Sequence, residues 1–142
     1  MMRHSRPFDW LDADIWSVYW QWSMPDSYDG GTIDITYYWE AAAITGDVIW
    51  CFQAEGIAAN AAGDIDPVLQ PTTSIPCETD TTQANANDLG SIIEVGATSQ
   101  FAAGEYVIFK VFRDANAAGD TMAGDARLVK VKIEYSVSVE SD

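Results

Sequence analysis

Between Pro7 and Phe109 the chain has no lysine and no arginine. Seven basic residues stand against 22 acidic ones, for a net charge of −15. Such a surface repels phosphate, so neither nucleic acid nor an anionic membrane is an expected partner. Histidine is almost missing too: His4, near the start, is the sole one. A general base or metal centre built on an interior histidine is therefore not expected. The two cysteines, Cys51 and Cys77, are too few for a disulfide framework or a thiolate metal site. Cys51 falls in a strand pattern and Cys77 follows Pro76 in a loop. Buried free thiols are the expectation, with late pairing on exposure to oxidant as the alternative. No apolar run reaches membrane length, and the opening MMRHSRPFDW is too polar for a secretory leader. Synthesis in the cytoplasm without a signal peptide is expected. The chain also lacks a G-x-S-x-G, a phosphate loop and metal-ligand spacing, so no enzyme and no cofactor are expected.

What is present is apolar and aromatic. At 48% hydrophobic and 12% aromatic, a chain of 142 residues can bury one real core and fold as one domain. The organising stretch is 104–135. Val107, Phe109 and Val111 share one face of a run whose other face carries Tyr106, Ile108, Lys110 and Phe112. After a turn-rich middle, Val129, Val131, Ile133, Tyr135 and Val137 alternate with Lys130, Lys132 and Glu134. A period of two means strands. The first run is apolar on both faces and is expected to be central; the second has one wet face. Earlier strands are read over 15–22, 32–39, 47–54 and 89–95, with a short one near 79–83. Those over 32–39 and 47–54 are expected to form a hairpin, joined over 40–46 by small residues for which a single helical turn is one reading. Pro67, Pro71 and Pro76 keep 55–86 from holding a long central strand. The expected fold is all-β: a single two-sheet antiparallel β-sandwich, jelly-roll-like, of about seven or eight strands. An immunoglobulin-type sandwich is the rival. Residues 1–14 form an N-terminal tail or arm, 15–137 the sandwich, and 138–142 an acidic tail.

Several constellations invite a function. All six tryptophans lie in the first fifty residues, and Trp16, Trp20 and Trp22 fall on one face of their strand. Such rings suit a core or a subunit interface, and with Tyr38 they are the interface candidates. Aromatic faces also stack on sugars; Tyr28 and Asp29, in the turn after Pro25, are the glycan-binding candidates. Asp114, Asn116, Asp120 and Asp125 carry oxygens that Ca²⁺ would take, but their spacing is not that of an EF-hand. The alternative is a structural turn in which Arg113 and Arg127 pair with acids such as Asp120 and Asp125.

Two segments, WQWSMPDSYDGGTIDITYYW…GDVIW (20–50) and GEYVIFKVFRDANAAGDTMAGDARLVKVKIEY (104–135), together resemble a group of uncharacterised proteins encoded among tailed-phage virion genes. In that group an aromatic strand follows a Pro–Tyr–Gly-containing turn. Near the end comes an Arg-Asp…Asp-Thr…Gly-Asp-Ala pattern, here Arg113, Asp114, Asp120, Thr121, Gly124, Asp125 and Ala126. Residues 1–14, 55–86 and both cysteines lie outside the resemblance. It implies a jelly-roll-like structural protein on the exterior of a virion: a head decoration, fibre or tail component. The expected partners are copies of itself, most simply a trimer, and other virion proteins. The alternatives are a glycan-binding module for attachment to a host surface and a Ca²⁺-dependent acidic surface unit.

Overall fold

A computed structural model describes residues 17–58, 67–83, 85–86, 88–97 and 101–138, with the backbone alone over 91–97. The tail over 1–14, Trp16, residues 59–66 and 139–142 lie outside the described residues. The described chain is all-β: β1 (Ser17–Ser23), β2 (Tyr28–Ala41), β3 (Asp47–Ile57), β4 (Cys77–Thr81), β5 (Gly90–Ala97), β6 (Tyr106–Arg113) and β7 (Ala126–Val137). None of it is helical, including the connection over 42–46, so the single helical turn expected there does not form.

The strands make two antiparallel sheets in a sandwich-like arrangement. One has the order β1-β6-β3-β4 and the other β5-β2-β7. β6 is central, paired from Ser17↔Phe112 to Ser23↔Tyr106 on one side and from Trp50↔Arg113 to Ile57↔Tyr106 on the other. Its apolar pattern on both faces has a physical reason. Val107, Phe109 and Val111 are buried in the core, and Ile108 and Phe112 lie under the segment that precedes β4.

β2 and β3 do not form the expected hairpin, because they lie in different sheets. Each carries a row of large apolar side chains, and those rows meet across the core instead of lying side by side. Tyr37 stacks on Trp50 at 6.3 Å between ring centroids, and Trp39 meets Trp50 at 6.4 Å. Burying such rings against each other outweighs the short-range convenience of a hairpin. The crossing turns at Gly46, whose φ is 99°. A Cβ there would lie 2.6 Å from Met122 Cα, so only glycine fits. Met24, Tyr28 and Phe101 close one end of the core, and Met122 and Ala126 are buried with it.

The cysteines are not free thiols. Cys51 and Cys77 form a disulfide between directly opposed residues of β3 and β4, with Cα atoms 4.1 Å apart. The expectation of buried thiols failed because β4 begins at Cys77, so this residue belongs to a strand and not to a loop. Strand pairing then brings two residues 26 apart in sequence within bonding reach.

Candidate functional site

The outer face of the four-stranded sheet carries a groove of about 550 Å³. Its floor comes from alternate residues of three neighbouring strands: Tyr19 of β1, Gln53 of β3, and Ile108, Lys110 and Phe112 of β6. Its wall is the proline-rich segment before β4. That segment runs beside β3 through reciprocal backbone bonds between Ala54 and Gln70, 2.9 and 3.2 Å long. Gln53 ties floor to wall: its Nε2 donates to Pro71 O at 2.7 Å, and its Oε1 accepts from Lys110 Nζ at 3.1 Å. Lys110 also lies over the Phe112 ring, 4.6 Å from its centroid. Partial burial pushes the Lys110 ammonium below the usual lysine range. Tyr19 stands 59% exposed at the rim. The groove thus offers an aromatic edge, apolar floor and one cation, a set that suits a neutral polar ligand with C–H faces or a peptide side chain. Sequence reasoning singled out none of these five residues as a site. The signal for them was the apolar outer face of β6, which requires a cover.

The residues picked from sequence are distributed otherwise. Arg113 and Asp120 meet as a buried pair, Nε donating to Oδ2 at 2.8 Å and Nη2 to Oδ1. Arg113 also donates to Gly124 O at 2.7 Å and Met122 O at 2.8 Å. Asp120 Oδ2 further accepts the Ile49 N–H at 3.0 Å. The pair pins the β6–β7 connection onto the start of β3, where Thr121 N and Met122 N both donate to Asp47 O at 2.9 Å. Arg127 does not join this turn; it pairs with Glu40 across the β2–β7 ladder at 3.2 Å. Asp125 is half-buried beside Arg127 in a shallow surface depression.

That geometry bears on the calcium candidates. Both Asp120 oxygens are committed to Arg113, so Asp120 is not a free ligand. Among the described residues no group of three or more acids, cysteines or histidines is gathered as a metal would need. Asp114, Asn116 and Asp125 lie in the connection between β6 and β7.

The glycan candidates also hold local structure. Tyr28 is 4% exposed and its hydroxyl donates to Gly31 O, so its ring is no platform for a sugar. Asp29 Oδ1 accepts the Gly31 N–H at 2.8 Å, closing a turn in which Gly30 has φ 79°. Of the interface candidates, Trp20 and Trp22 point inward, half-buried: Trp20 stacks on Phe109 at 5.4 Å and Trp22 meets Tyr135 at 5.6 Å. Tyr38 lies on the outer face of the three-stranded sheet, 5.7 Å from Lys130 Nζ. The three described candidates hence do not form one exposed aromatic face; Trp16 lies outside the described residues. Compared with protein-family models, with curated proteins and with solved structures, the chain matches none.

Proposed function

We propose that this chain is a non-enzymatic structural protein of a tailed-phage particle, a decoration, fibre or tail component on the virion exterior. It works through contacts with copies of itself and with other virion proteins. The strand order carries this reading. In an eight-stranded jelly roll the first strand lies beside the last, the last beside the third, and the third beside the sixth; the second pairs with the seventh. The orders β1-β6-β3-β4 and β5-β2 reproduce those neighbours with β4, β5 and β6 in the places of the sixth, seventh and eighth strands; among the described residues no strand fills the fourth and fifth places. β7 is then an added strand outside β2. An immunoglobulin-type order would need both β1 and β7 to change sheets. Jelly rolls recur in capsid and lectin domains, and the resemblance of 20–50 and 104–135 to phage virion proteins favours the former.

The test is molar mass by light scattering on a sizing column, at low and high salt. A defined assembly of two or more subunits, held or promoted by salt, supports the reading. A monomer under both conditions overturns it.

The groove favours a second reading, a glycan-binding module for host attachment. Tyr19, the exposed ring of the groove, supplies the aromatic surface, and Lys110 a polar group beside it. A glycan array is the measurement. Binding that Tyr19→Ala abolishes supports it; no binder on the array counts against it.

A further inference from the structure

Among the described residues β7 is the longest edge strand, with 12 residues against 7 in β1, 5 in β4 and 8 in β5. Among the described residues nothing pairs with its outer side. A long open edge presents a row of unpaired N–H and C=O groups and is a template for another strand. β7 also leaves Val129 58% and Val137 50% exposed, near its two ends. Between them, Lys132 Nζ and Glu134 Oε2 sit 2.7 Å apart on the wet face.

We propose that this edge pairs with β7 of a second copy, antiparallel about a two-fold axis through Ile133. The claim rests on the self-assembly reading above and specifies its contact. In this register Lys132 lies opposite Glu134 of the second copy, and Glu134 opposite Lys132. Val131 lies opposite Tyr135 and Lys130 opposite Ser136, while Val129, the bulged residue of β7, stands outside the regular ladder. The intrachain pair becomes a four-charge ladder of alternating sign. Directly opposed side chains of an antiparallel pair interact, favourably for opposite charges and unfavourably for like ones. The neighbouring registers are worse. An axis through Lys132 sets that lysine against itself, and an axis through Glu134 does the same for the glutamate. An axis between residues opposes Lys132 to Ile133 and turns the two cores to opposite sides of the joined sheet. The joined sheet has six strands, three from each copy. A two-fold contact closes at two subunits, which replaces the trimer suggested by the sequence.

Edge lysines and a bulge, here opposite Tyr38 and Trp39, can also serve only to keep other strands away. Charge swaps on the full chain separate the two roles, with molar mass by light scattering as the readout. Lys132→Glu places four like charges in the ladder and should weaken dimerisation at least about tenfold. Glu134→Lys should do the same. An equimolar mixture of these two variants restores every opposite-charge contact and should recover the dimer, as should the double swap K132E/E134K. Recovery on mixing also shows that each variant is folded. If the wild type assembles but neither variant changes its mass, this interface is wrong and self-assembly stands. A trimeric wild type also overturns the two-fold contact. A wild-type monomer at about 100 µM, a concentration that would reveal even weak pairing, overturns the contact and the self-assembly reading together.

Discussion

Arg113 is 2% exposed, and among the described residues its guanidinium bonds to a single loop. Removing it strands the buried Asp120 carboxylate without its counter-charge and leaves two carbonyls without donors. Breaking such a pair from one side costs about 3–5 kcal/mol. Arg113→Ala should therefore lower the urea midpoint by that equivalent and expose the 114–125 loop to protease. Wild-type protease resistance in the variant would show that the loop stands without the arginine. Glu55 sets up the opposite case. Its carboxyl is held above the usual range, first by burial and then by the charge of Glu105. Among the described residues its Oε2 is buried without a hydrogen-bond partner. A raised folded-state pKa means that the fold favours the proton. The stability this group contributes is present below its unfolded pKa and is lost as pH rises through the folded value. At neutral pH the ionised Glu55 thus opposes folding. Glu55→Gln should stabilise the protein at pH 7.5, and its advantage should shrink as pH falls to 5. Parallel urea titrations at the two pH values would test this; an equal gain at both removes the electrostatic explanation.

At the scale of elements, local patterns were readable and partners were not. Alternation placed β2, β3, β6 and β7, because side chains with period two are a property of one strand by itself. Which strands would pair depends on where distant apolar rows meet, so the β2–β3 hairpin misread a contact across the core as one within a sheet. The same limit hid the groove: Tyr19, Gln53 and Phe112 belong to three strands brought together only by the sheet order. Arg113 and Asp120 were legible because they are 7 residues apart and bracket one turn. Cys51 and Cys77 were not, because β4 is short, polar and dependent on β3 for its existence. Its residues Glu78 and Asp80 alternate with threonines, and the long-range contact of Asp80, accepting the Trp39 indole N–H at 2.8 Å, is made 41 residues away in sequence. The disulfide therefore clips a weak strand and the groove wall to a strong one. Closing a loop of this length removes unfolded-state entropy worth about 3.5 kcal/mol. Reduction with dithiothreitol should lower stability by about that amount and raise proteolysis within 67–81. Double replacement of both cysteines by alanine should reproduce the loss. Unchanged cleavage in that segment would mean that the ladder and Gln53 hold the wall unaided.

For the whole molecule, the uneven distribution of charge decides the response to salt. In the folded domain the basic residues lie on β6 and β7 alone, while acids line β2, β3, β4 and the connecting loops. The buried Arg113–Asp120 pair is shielded from solvent ions and should change little with ionic strength. Lys132–Glu134 and Arg127–Glu40 are open to solvent, and such pairs contribute little to begin with. The largest salt-sensitive quantity left is the mutual repulsion of a chain at −15. Its range contracts to about 10 Å at 0.1 M salt, shorter than the distance across the domain. Thermal unfolding should therefore shift upward by several degrees between low salt and about 0.5 M sodium chloride. The measurement belongs at a dilution where light scattering finds single chains, so that screening of each fold is read apart from any assembly. A downward shift would mean that the few exposed ion pairs outweigh the general repulsion, and would remove the electrostatic reason for salt to promote association.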